Sequence, residues 1–197
     1  MRIMLSGSAV ARVSVKGGFN LFYGLIISTI ISALSIIFLA RLLSPSEIGI
    51  LAIAVVAPNL FAILRDWGIN SAMTRFIAKY KSENKTAKAK GILSAGVLFE
   101  LALGLSLSLL SFILSDFTAT NLLQRPDIAP LIQIASFNIL GEALLTATQS
   151  IFTGYERMEL HSITLVLQST LKATLSILLV IIGLGVFGAV IGTTIAL

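Results

Sequence analysis

The chain has no cysteine and only one histidine, and only 12% of its 197 residues are charged. The missing cysteine excludes a disulfide framework and a thiolate metal site. One histidine leaves no paired-histidine motif, and no phosphate-cradling glycine loop or nucleophile beside a base is present, which argues against hydrolytic or metal chemistry. The scarcity of charge is the most restrictive feature. A soluble domain carries about 25% charged residues, and a globule with 56% hydrophobic residues and a mean hydropathy of +0.99 lacks the polar side chains to cover its surface. Lipid is therefore the expected solvent, and the expected class is an all-α integral membrane bundle.

A spanning helix needs about 20 mainly apolar residues. The runs 19–43, 48–65, 91–114, 129–152 and 161–182 meet or approach that length, and a sixth, 185–197, reaches roughly two-thirds of it. The whole chain, 1–197, reads as one transmembrane lobe of six helices with the sixth incomplete, as if cut from a longer protein. The first apolar run is too long for a secretory signal and is expected to be retained. Ser44-Pro45-Ser46-Glu47 forms a capping box with proline in the first helical turn. Pro126 and Pro130 bracket the start of the fourth helix, with Asp127 as its expected cap. Gly183 and Gly185 form a turn between the fifth and sixth helices. Pro58 should kink the second helix, leaving carbonyls for Asn59 or water to satisfy. Gly68 breaks the chain ahead of an amphipathic helix over 69–81, whose apolar residues are Ile69, Ala72, Met73, Phe76, Ile77 and Tyr80. Pro58 and Gly68 are the candidate hinges.

The net charge of +5 could suggest nucleic acid, but the basic residues flank apolar runs, as topology signals do. With the N-terminus inside, Arg2, Arg12, Lys16, seven residues from Arg65 to Lys90, and Arg157 fall on the inner face, eleven in all; Arg41 and Arg125 fall outside. The expectation is a multi-pass cell-membrane protein with a cytoplasmic N-terminus. The lysine run reads first as a topology signal and second as a patch for lipid headgroups.

Ionisable side chains within spans are costly and call for a partner or a hydrated cavity. Glu100, Glu142 and Lys172 are three such groups, and Arg65-Asp66 ends the kinked helix. Each sits on a polar or small stripe: Asn138, Glu142, Thr146, Gln149 and Thr153 on the fourth helix; His161, Gln168, Lys172 and Ser176 on the fifth; Gly96, Glu100, Gly104 and Ser108 on the third; Asn20, Gly24, Ser28 and Ser32 on the first. Such seams also arise from helix packing alone. Glu142 and Lys172 read either as a buried ion pair or as the lining of a cavity for an anionic or proton-coupled substrate. His161 reads as an interfacial residue. The candidate cavity residues are Arg65, Asp66, Glu100, Asn138, Glu142, Gln149, Gln168 and Lys172, with no catalytic group, metal or cofactor expected.

The stretch FLARLLSPSEIGILAIAVVAPNLFAILRDWGINSAMTRFIAKY, from Phe38 to Tyr80, resembles the first two helices of prokaryotic polysaccharide (O-antigen type) flippases. These belong to the superfamily that also holds multidrug and toxin extrusion (MATE) transporters. GYERMELHSITLVLQSTLKATLSILLVIIGLGVFGAVIG, from Gly154, is similar to the same family's fourth loop, fifth helix and start of the sixth. The resemblance implies two six-helix lobes that rock about a central cavity, with this chain as the N-terminal lobe and the second lobe on the same or another chain. A lobe alone would then not transport. The implied cargo is an isoprenoid-linked oligosaccharide, its pyrophosphate met by Arg65 and Lys172, with Glu100 and Glu142 tuning them or coupling a cation gradient. Residues 19–43 contain no acid, unlike the first helix of several drug exporters, which favours flipping over drug antiport. A cation-coupled drug exporter and a non-transporting envelope scaffold remain alternatives, and a membrane glycosyltransferase is a more distant one because no acidic metal-binding cluster is visible. The expected partners are membrane lipids, the lipid-linked substrate and the missing lobe, without nucleic acid.

Overall fold

The computed structural model describes residues 7–65 and 67–197, with side chains for all of these except 7–16 and 57. It is helical, with no strand among the described residues, and five stretches are long and apolar enough to cross a membrane. The expected all-α membrane bundle is therefore the observed fold. Helix α1 (Gly7–Leu42) starts well before residue 19, because no proline precedes the apolar run to stop it. It ends at Leu42, and the expected capping box forms at Ser44. The Ser44 hydroxyl receives the Glu47 N–H at 3.3 Å, and Glu47 Oε2 accepts the Ser44 N–H at 2.7 Å.

The second span is two helices, α2 (Pro45–Ala54) and α3 (Val56–Ile63), broken at Val55. The break lies where Pro58 dictates. Proline has no N–H for the carbonyl four residues back, at Ala54, and its ring crowds that carbonyl. Hydrogen bonding resumes with Asn59 N–H donating to Val55 at 3.1 Å. The Asn59 side chain lies exposed and forms no hydrogen bond among the described residues.

After α3 the chain turns at Gly68 (φ 76) into α4 (Ile69–Ser82), close to the predicted 69–81. The left-handed backbone at Gly68 is accessible to glycine without a Cβ clash. The buried face of α4 is narrower than expected. Met73 and Ile77 are buried, whereas Ala72 and Phe76 are exposed. This helix is packed against α5 (Thr86–Ile113) and α7 (Ala129–Gly154). Two glycines allow the approach. A Cβ at Gly96 would collide with the Met73 side chain, and one at Gly154 would press on Ile77 and the Thr74 carbonyl.

Helix α5 begins ahead of residue 91 because Thr86-Ala-Lys-Ala-Lys adds strong helix formers. It runs on through α6 (Ser115–Phe117) and a wide helical turn, Thr118–Leu122. Asp127 does not cap α7. Its carboxylate takes two hydrogen bonds from Arg125, at 3.1 and 3.0 Å, across a tight helical turn, Pro126–Ile128. Arg125 is a competing cationic partner two residues away, and it draws the carboxylate off the backbone.

Helix α8 (Met158–Leu179) and α9 (Gly185–Ile195) form one apolar stretch of 38 residues, Met158–Ile195, too long for a single crossing. The chain folds back through a wide turn, Val180–Leu184, where Gly183 (φ 98) and Gly185 (φ 51) supply the reversal. Gly192 then lies directly on the backbone of Ser176. Helix α7 sits at the centre, packed on α5, α4, α3 and α9; α9 packs on α8, and α8 on α1. The apolar core is built largely from α7 residues, among them Leu131, Ile132 and Ala135, with Val186 and Val190 of α9.

Candidate functional site

The small and polar seam predicted on α5 is a packing face, and it also carries a charge. Gly96, Glu100, Gly104 and Ser108 are all buried. Ser108 donates to the Ser136 carbonyl at 2.9 Å, and the Ser111 and Ser136 hydroxyls meet at 2.8 Å. Without a hydrophobic force between helices in lipid, such contacts and close backbone approach hold α5 to α7. Glu100 is fully buried in this face, with 0% exposure, and its two oxygens are taken separately. Oε2 accepts from Arg65 Nη1 at 3.1 Å, and Oε1 accepts from the Asn70 amide at 2.9 Å.

Arg65 and Asn70 stand on either side of the Gly68 turn, so one carboxylate of α5 pins both ends of the elbow between α3 and α4. The network then reaches α7. Arg65 Nη1 also donates to the Thr146 hydroxyl at 2.8 Å, and Ser150 donates to the Asn70 carbonyl oxygen Oδ1 at 3.2 Å. Thr74 donates to the backbone carbonyls of Asn70 and Ser150, at 3.0 and 3.1 Å. Burying two charges costs several kcal/mol per ion unless geometry and further hydrogen bonds repay it; here Asn70 and Thr146 add a bond to each ion, and Ser150 braces Asn70 in turn. Arg65 Nε is buried with no partner among the described residues.

Beside this network lies a cavity of about 320 Å³ lined by Arg65, Asn70, Ser71, Thr74, Thr146, Gln149, Ser150, Thr153 and His161. Every lining side chain is polar. His161 is half-buried, and its Nδ1 lies 3.1 Å from the Thr153 hydroxyl. It is thus a wall of the cavity rather than only an interfacial residue.

The predicted site residues divide accordingly. Arg65, Glu100 and Gln149 come together at the cavity and its network. Asn138 and Glu142 lie half-buried further along α7; Asn138 Oδ1 is buried without a partner, and Glu142 forms no ion pair among the described residues. Lys172 is exposed and Gln168 half-buried on α8. The Glu142–Lys172 ion pair does not form; Glu100 is paired with Arg65 instead. Asp66 lies outside the described residues. Of the candidate hinges, Pro58 sits three residues past the helix break at Val55, and Gly68 forms the turn into α4. Asn70, Ser71, Thr74 and Ser150 were not foreseen, though Asn70 with Thr74 and Thr146 with Ser150 share the i, i+4 spacing that lines up polar groups on one helix face.

Comparison with known proteins gives three results. Residues 14–197 match the model of a family described as polysaccharide biosynthesis protein. None of the curated proteins matches the chain. Two solved structures share its fold. One is an outward-facing multidrug resistance MATE family transporter of the MOP superfamily, with a TM-score of 0.75 and 16% identity, covering 93% of this chain and 42% of that one. The other is a MOP superfamily transporter from Pyrococcus furiosus described as having a binding pocket of reverse polarity, with a TM-score of 0.73 and 17% identity, covering 93% of this chain and 41% of that one. The chain thus spans about two-fifths of the length of these transporters. With its helices, its buried charges and this match over nearly its whole length, the chain belongs to the polysaccharide biosynthesis protein family and has the fold of part of a MOP-superfamily transporter.

Proposed function

We propose that the chain supplies one lobe of a transporter that moves lipid-linked oligosaccharide across the cell membrane by alternating access. The single observation that carries this reading is the all-polar cavity among α4, α7 and α8, built into a bundle whose outer surface is apolar. A polar headgroup needs such a lining to leave water, while its lipid tail can stay in the bilayer. The family match supports a role in polysaccharide assembly. The eleven-to-two distribution of Lys and Arg favours α4 and the cavity at the cytoplasmic end. Lys172, exposed on α8 without an ion-pair partner among the described residues, is the cation available to a pyrophosphate. Glu142 is the acid left over for coupling. Membrane lipids and a second lobe complete the machine.

A MATE-type exporter of small cations is the second reading, favoured by the fold shared with a multidrug resistance transporter. Against it, residues 19–43 contain no acidic side chain. The test is transport in proteoliposomes by the complete two-lobed protein, offered fluorescent lipid-linked oligosaccharide and cationic dyes separately. Movement of the lipid-linked sugar supports flipping; movement of dyes alone overturns it.

A further inference from the structure

Resting on that flippase reading, we infer that the cavity among α4, α7 and α8 is a subsite for an uncharged, hydroxyl-rich group, the sugar portion of the substrate, and not for its pyrophosphate. Charge makes the first distinction. The cavity's full cation is Arg65, and Arg65 is only 8% exposed and already committed to the fully buried Glu100 at 3.1 Å. A pyrophosphate seated on Arg65 would bring its negative charge beside Glu100. If it drew Arg65 away, it would leave a carboxylate with no exposure and no counter-charge.

Hydrogen-bonding capacity makes the second distinction. Both of the bonds Arg65 makes come from Nη1, which leaves the buried Nε donor unpartnered. The Gln149 amide forms no side-chain hydrogen bond among the described residues, and it offers a donor and an acceptor together. Thr153 commits its hydroxyl proton to the Gln149 carbonyl at 2.8 Å. The bond of 3.1 Å to His161 is therefore donated by the ring's Nδ1–H, and in the neutral ring Nε2 is left as an acceptor. Among the lining residues the uncommitted groups are thus Arg65 Nη2 and Gln149 Nε2 as donors, Gln149 Oε1 and His161 Nε2 as acceptors, and the Ser71 hydroxyl as either. A sugar hydroxyl both donates and accepts and can match such a set. A phosphate oxygen only accepts and would leave the two acceptors facing it. The volume of about 320 Å³ is at the low end for small-molecule sites, fitting a short stretch of sugar and not a whole oligosaccharide.

The test uses the full 197-residue chain in lipid nanodiscs and saturation-transfer NMR, with uncharged methyl glycosides and inorganic pyrophosphate as separate probes. A glycoside is expected to bind saturably and to resist displacement by pyrophosphate. Its affinity should fall roughly tenfold in Gln149→Ala and in His161→Phe, the loss of one good polar contact. Gln149→Ala removes no internal hydrogen bond of its side chain, so an unchanged melting temperature is expected and keeps the comparison clean. The proposal is overturned if no glycoside binds saturably, if binding is indifferent to both substitutions, or if pyrophosphate displaces the glycoside in an Arg65-dependent manner. Failure here with lipid-linked sugar still transported by the complete protein would remove the subsite alone. Glycoside binding with only dyes transported would remove the flippase reading alone.

Discussion

Arg65 and Asn70, five positions apart across a left-handed glycine, converge on opposite oxygens of Glu100, at 3.1 and 2.9 Å. The carboxylate of one spanning helix thereby sets the bend at which another span turns into α4. Glu100→Ala should leave Arg65 buried without a counter-charge and cost about 3–5 kcal/mol, read as lowered resistance to unfolding in mixed micelles. The double variant Arg65→Met with Glu100→Leu should recover much of that loss, since apolar replacement of a buried pair is often neutral. A double variant as unstable as Glu100→Ala would count against the pair as the source of the effect.

Lys172 gives a prediction of the opposite kind. It is exposed and forms no hydrogen bond or ion pair among the described residues, so Lys172→Met should fold at least as well as the parent. In the complete transporter the same change should abolish movement of lipid-linked oligosaccharide. An envelope scaffold would work unchanged, and full transport by Lys172→Met would remove the lysine from the pyrophosphate site.

The glycines at helix contacts should differ in how far they tolerate a methyl group. At Gly96 the obstacle is the flexible Met73 side chain, whereas at Gly192 it is the backbone of Ser176 and Leu175. Gly192→Ala is therefore expected to cost about 1–3 kcal/mol through overpacking, and Gly96→Ala clearly less. Thermal melting of the two variants in one detergent checks the order.

The absence of cysteine makes every introduced thiol a unique reporter of sidedness. In inner-membrane vesicles and whole cells, Ser82→Cys should react with an impermeant maleimide only from the cytoplasmic side, and Gln124→Cys only from the other. Reversed labelling would invert the orientation inferred from the lysines and arginines.

At the α4–α5 junction, the hydrogen bond from Lys85, at 2.6 Å, holds the Glu83 carboxylate below its usual range, with smaller help from the charges of Lys85, Lys79 and Lys88. Because the folded value is depressed, whatever stability this pair adds is present above the ordinary carboxylate range and is lost as pH falls through the lowered value. Carboxyl-carbon NMR titration should show Glu83 titrating below exposed glutamates, and added salt should narrow the gap.

Much of this architecture was legible because lipid enforces simple rules. Run length located the spans, the Ser44–Glu47 box and Gly183 marked two boundaries, and Pro58 placed the break. The α5 seam was legible for the same reason: a glutamate in line with two glycines has to face another helix. Partner choice was not legible. Glu142 and Lys172 look suited by depth, but depth along two helices says nothing about the direction each side chain takes around its axis. Glu100 instead meets Arg65 through an elbow whose geometry depends on Gly68 and on α4 docking between α5 and α7. The cavity's α4 wall was missed because Asn70, Ser71 and Thr74 sit on a helix whose apolar residues drew the eye to its other side. The extension past α5 was missed because the apolar run ends at Leu114 while the helical backbone continues through polar residues to Leu122.

The side-by-side packing of α1 on α8 has a consequence for how the protein is made. During synthesis, α1 meets its main neighbour only after α2 through α7 have followed it out of the ribosome. Until then it must persist in the bilayer on its own apolar surface, so its hydrophobicity serves biogenesis as much as the finished fold. Conservative polar substitutions on α1 should therefore fail at insertion, at a stage when no contact seen in the mature lobe yet exists to rescue them.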